Sequence, residues 1–89
     1  MKKLVEVQEI AEEGFIKLLG ETVVIFCVNY FYTGKLVGVN DDCVLVEKPS
    51  IIYGTGSFSN SSWSDCQSMC IEELFIQKNA IESFGRSSK

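Results

Sequence analysis

The stretch Tyr32-Thr33-Gly34-Lys35-Leu36-Val37-Gly38-Val39-Asn40-Asp41-Asp42-Cys43-Val44-Leu45-Val46-Glu47 decides the fold. Apolar and β-branched residues dominate both halves, and Asn40-Asp41-Asp42 supplies turn residues that tolerate unusual backbone angles. The stretch therefore reads as two antiparallel strands, about 30–39 and 43–48. Gly34 and Gly38 mark places in the first strand where a side chain would resist a sharp bend. Pro49 is expected to end the second strand, because proline has no N–H to give to a ladder.

Upstream, Thr22-Val23-Val24-Ile25-Phe26-Cys27-Val28 is a continuous apolar run and reads as a strand covered on both faces. Before it, Val7, Ile10, Ala11, Gly14, Phe15 and Leu18 fall close to one helical face. Glu9, Glu12, Glu13 and Lys17 fall largely on the other, which predicts an amphipathic helix over about residues 7–19. Gly20 is its natural stop, since glycine accepts the left-handed conformation without steric cost. Downstream, Ile51-Ile52-Tyr53 reads as a short extension, and residues 54–69 as a Ser-rich insertion. Trp63 within it is expected to pin the loop onto the body or onto a neighbour. The last two strands are predicted at about 70–78 and 80–84 with almost no turn between them, and 85–89 as a loose tail.

The 89 residues allow a single domain spanning 1–89, and 46% of them are apolar. A chain this small buries a modest share of its surface, so partners often supply the missing burial. The net charge is −4. An acidic chain is a poor footprint for indiscriminate nucleic-acid binding, which relies on Lys and Arg neutralising phosphates. No apolar stretch approaches the roughly 20 residues of a membrane span, and Glu6, Glu9, Glu12 and Glu13 interrupt the start where a signal peptide would be apolar. We therefore expect a cytoplasmic protein with reduced cysteines.

The chain contains no histidine, which removes the usual general base near neutral pH and the commonest zinc ligand. Cys27 and Cys43 lie in apolar strands, where cysteine packs as a small hydrophobe. Cys66 lies in the insertion and Cys70 just after it; a reversible disulfide is one reading of the pair, and two free thiols is the reading that a reducing cytosol favours. Asp41 and Asp42 read as solvated turn carboxylates. Neither a metal nor a cofactor is expected, and nothing in the pattern points to an enzyme.

The predicted helix followed by five strands, with the bend at Gly34 and Gly38, resembles the Sm and Sm-like family over about residues 7–85, apart from the insertion. Gly34, Leu36 and Val39 fit the family's first motif. Asn40 stands where the family usually has Asp, and Val44 where eukaryotic members carry a base-contacting Asn. Ile76-Gln77-Lys78-Asn79-Ala80-Ile81 represents the second motif without its Arg-Gly pair. Lys78, Ala80 and Ile81 match the Lys-His-Ala-Ile motif of bacterial Hfq, with Asn79 in place of His. Tyr30 to Gly34 and Thr55 to Phe58 are similar to a group of bacterial and phage-type Sm-like proteins.

The resemblance implies a mainly β fold, an N-terminal α-helix followed by a strongly bent five-stranded antiparallel barrel. It also implies a homo-oligomeric ring of about five to seven subunits, each pairing head to tail with the next. A non-enzymatic, single-stranded RNA-binding role follows from it. On loops contributed by successive subunits, Asn40, Gln77 and Asn79 are then expected to meet base edges, Lys78 to neutralise phosphate, and Asp41 and Asp42 to complete the site. The alternative is a structural or protein-interaction ring that binds no RNA. The acidic pI of about 4.7 and the missing Arg-Gly pair point that way.

Overall fold

A computed structural model describes residues 14–89. It shows a mainly β, antiparallel fold. The strands are β1 (Thr22–Cys27), β2 (Phe31–Val39), β3 (Cys43–Gly54), β4 (Asp65–Ser68), β5 (Glu73–Gln77) and β6 (Ile81–Arg86). They form one open sheet in the order β4-β3-β2-β1-β6, with β5 beside the first half of β3. Of the helix expected over 7–19, residues 7–13 lie outside the described residues. Within the remainder, Ile16–Leu18 form a 3-10 turn rather than an α-helix. Gly20 follows with φ +86°, in the left-handed region open to glycine.

Two bulges shape the β2–β3 hairpin. Thr33 pairs with Ser50 and Lys35 with Glu47, so β3 holds one residue more than β2 at this point. Lys48 takes φ 49° there. Leu36 then pairs with Val46 and Gly38 with Leu45, so β2 holds the extra residue next. Bulges of this kind bend a strand and increase its twist. Gly34 lies against Val46, and a Cβ there would also stand 3.0 Å from the Glu47 carbonyl oxygen and 3.2 Å from the Pro49 Cα. The glycine is required by this close approach.

The expected end of the third strand at Pro49 is corrected by the structure. β3 runs on to Gly54. Pro49 sits at the bulge, where its missing N–H costs no ladder bond, and its carbonyl accepts from the Met69 N–H at 3.1 Å. The polar insertion also contains a strand that the sequence did not reveal, which raises the count from five to six. β4 pairs Ser68 with Ser50 and Asp65 with Gly54. All four of its residues are exposed, so no buried face betrays it in the sequence.

One core joins the strands. Val23, Ile25 and Cys27 of β1, Leu36 of β2, Val44 and Val46 of β3 and Ile76 of β5 are buried together. Ile81 at the start of β6 packs against them, as do Phe15 and Leu18 from the segment before β1. Burying such side chains is worth about 1.5–3 kcal/mol each. The run Val23-Val24-Ile25 is buried throughout, as a strand covered on both faces requires. The final two strands do not pair with each other. They part at a 3-10 turn, Lys78–Ala80, β5 joining β3 and β6 joining β1 at the opposite side of the sheet.

Candidate functional site

Two connections converge at one end of the sheet. The β2–β3 turn is closed by the Asn40 N–H donating to the Cys43 carbonyl at 3.0 Å. The Asn40 Oδ1 accepts from the backbone N–H groups of Asp42 and Cys43 at 2.8 and 2.9 Å. This side-chain turn needs no left-handed residue, and neither Asp41 nor Asp42 has positive φ. The β5–β6 connection is tied to it by one bond, the Lys78 N–H donating to the Asp42 carbonyl at 2.8 Å.

That bond brings Asp41, Asp42, Gln77, Lys78 and Asn79 together around a shallow depression of ≈ 550 Å³. The structure thus assembles five of the six residues picked from the sequence within one chain. Asn40 lies beside them, on an adjoining cleft with Phe15, Val39, Lys78 and Phe84. Its carbonyl oxygen is occupied by the turn, so Asn40 builds the loop and leaves only its amide NH₂ for a ligand. Asp41, Asp42, Gln77 and Asn79 are exposed.

Lys78 has a more constrained setting. Its Nζ lies 5.7 Å from the centre of the Phe15 ring, and Phe15 stacks on Phe84 with centroids 3.7 Å apart. A cation over an aromatic face is attracted by the ring quadrupole. The Phe15 ring, itself stacked on Phe84, therefore favours the ammonium's place beside the depression without neutralising it. Phe15 is the contributor that sequence reasoning assigned only to a helix face. Its role depends on a contact with β6 that lies 69 positions away, Phe15 to Phe84.

A second concavity, of ≈ 340 Å³, opens between the end of β1 and β5. It is lined by Cys27, Val28, Tyr30, Tyr32, Phe75 and Ile76, among others. Burial pushes the Cys27 thiol above its ordinary value. The Tyr32 hydroxyl is raised as well, first by burial and then by the nearby Cys27, Tyr30 and Tyr53. Both groups are neutral near pH 7, which leaves this concavity apolar in character. Phe31 is turned away into an edge contact with Phe26 at 4.6 Å.

Among the described residues, no three His, Cys, Asp or Glu side chains gather as a metal ion would require, and no helix is long and apolar enough to cross a membrane. No protein-family model matches the chain, and no curated protein matches it.

Proposed function

We propose that the protein is a ring-forming, non-enzymatic module of Sm-like type that binds short single-stranded RNA in the cytoplasm. The observation that carries this reading is the Lys78–Asp42 backbone bond, which gathers the polar turn residues into one depression beside an aromatic-backed ammonium. Gln77 and Asn79 offer amide donors and acceptors suited to the edges of unstacked bases. Lys78 supplies the charge for phosphate. Repetition of the depression around a ring would multiply contacts that are weak singly.

The test is fluorescence anisotropy with labelled U-rich, A-rich and mixed oligonucleotides at low salt. Binding to the assembled protein is expected, with Lys78→Ala weakening it for all sequences and Asn79→Ala changing base preference. Loss of one phosphate contact should flatten the salt dependence by about 0.7 in log–log slope for a single strand. Absence of binding at high micromolar protein overturns the reading.

One observation favours a second reading, a structural or protein-interaction ring. Asp41 and Asp42 share the depression with Lys78, two carboxylates to one ammonium. That balance repels a polyanion and suits a basic segment of a protein partner. In that case Asp41→Asn with Asp42→Asn would leave assembly intact while creating RNA affinity absent from the parent.

A further inference from the structure

The insertion carries a second chemical feature, unrelated to the depression at the turns. Phe58 and Trp63 stand edge to face, with ring planes at 90° and centroids 6.0 Å apart. Lys89, from the segment after β6, places its Nζ 4.0 Å from the Trp63 ring centre and 5.6 Å from that of Phe58. The same Nζ donates to the Ser57 carbonyl at 3.3 Å. Two aromatic walls and a carbonyl thus surround one ammonium.

The backbone that carries the two rings is itself constrained. Gly56 takes φ +64°, and a Cβ there would press on Ser64 at 3.1 Å. The Asn60 N–H closes a turn onto the Ser57 carbonyl at 3.0 Å, and the Ser57 and Ser59 hydroxyls bond at 2.8 Å. The Trp63 indole N–H is buried and has no hydrogen-bond partner among the described residues. The indole is therefore held by contacts of its ring, not by its polar edge. An aromatic pair in this arrangement prefers a cation to a neutral group of the same size.

Lys89 is delivered by the sheet. The Ser87 N–H donates to the Thr22 carbonyl at 2.8 Å, which extends the β1–β6 ladder past Arg86. The Ser87 hydroxyl then accepts from the Lys89 N–H at 3.2 Å and turns the chain towards the insertion. The segment expected to be a loose tail is thus tied at two points.

We propose that Phe58 and Trp63 form a binding site for an alkylammonium group, occupied within the chain by Lys89 and exchangeable for an ammonium ligand from outside. The ligand class is a lysine-type or quaternary ammonium. Lys89 acts as a tethered competitor, so the open site is populated only in the fraction of molecules where it has withdrawn. The proposal does not depend on RNA binding.

Trp63 is the sole tryptophan, so its emission reports on the site directly. The full chain and Lys89→Ala are titrated with choline, and in parallel with 3,3-dimethylbutan-1-ol, its uncharged isostere, at constant ionic strength. Saturable change with choline is expected in Lys89→Ala, at an apparent affinity about tenfold tighter than in the parent. The neutral isostere should bind several-fold more weakly than choline, and Phe58→Ala in the Lys89→Ala background should lose the response while circular dichroism shows an intact sheet. N-acetyl-lysine amide and choline, compared in the same variant, distinguish a lysine-type from a quaternary ligand. Equal response to choline and its isostere overturns the proposal, as does the same affinity with and without Lys89, or no saturable response in Lys89→Ala.

Discussion

Single residues in this chain divide sharply by the space around them. A Cβ at Gly34 meets Val46, the Glu47 carbonyl and Pro49, whereas one at Gly85 meets nothing within 4 Å among the described residues. Gly34→Ala should therefore destabilise the fold by about 1–3 kcal/mol through forced overpacking. Gly85→Ala should change it by less than about 0.5 kcal/mol. Urea denaturation of the two variants checks the contrast. Cys27 gives a pH prediction. Burial raises its pKa above the ordinary 9.0, so the folded chain holds this proton more tightly than the unfolded chain does. The stabilisation is complete below the ordinary value and is lost as the pH rises through the folded value. The melting temperature should fall above pH 9, with Tyr32 adding a fall of the same sign. Cys27→Ala should show a shallower alkaline decline. A thiol reagent at neutral pH should modify Cys66 and Cys70 first and reach Cys27 only on unfolding, since the first two are exposed and the last is buried.

At the scale of elements, β5 is the most exposed to consequence. Phe75 is 66% exposed on a strand that, among the described residues, pairs with β3 alone. An unpaired edge bearing an apolar side chain is a template for another chain. Phe75→Lys should leave the melting temperature of the separated subunit nearly unchanged and abolish the proposed ring assembly, as read by light scattering. The elements differ in how far the sequence announced them. β1 and the β2–β3 hairpin were legible because continuous or alternating apolar runs follow directly from burial. Their departures were not: Pro49 stays in β3 because a bulge accepts it, and the bulge depends on Gly34 across the sheet. β4 was hidden because it forms on backbone pairing with β3 and buries no side chain. The periodicity of the segment before β1 predicts a helix, and its described part is a 3-10 turn that places Phe15 on Phe84. The residues of the candidate site were legible as turn residues. Their grouping followed only from the Sm-like resemblance; the bond that joins them within one chain, between Asp42 and Lys78, 36 positions apart, has no local signal in the sequence.

For the whole molecule, the open sheet leaves β5 and β6 at separate edges of one small core. A chain of this size gains much of its missing burial by covering such edges. The proposed ring does so with a single kind of contact, the β5 of one copy against the β6 of the next, and closure removes every free edge of that type. A stable monomer at micromolar concentration in light scattering would remove the ring and the shared site together. The overall charge of −4 bears on the ligand rather than on the fold. If the ligand is a polyanion, the net charge adds no general attraction, so the local balance of Lys78 against Asp41 and Asp42 weighs more.

The two bulges of the β2–β3 hairpin have a counterpart in genetics. A residue gained by β3 near Lys48 is offset by a residue gained by β2 near Val37, much as a second frameshift restores a reading frame. Between the two, the strands are out of phase by one residue; beyond them, the phase returns in time for the Asn40–Cys43 turn. Losing one residue from either strand would turn every side chain beyond it to the other face. Losing one from each would cancel. Changes of length in this hairpin are therefore tolerated in matched pairs, and the turn that carries Asp41 and Asp42 keeps its aim only while that parity holds.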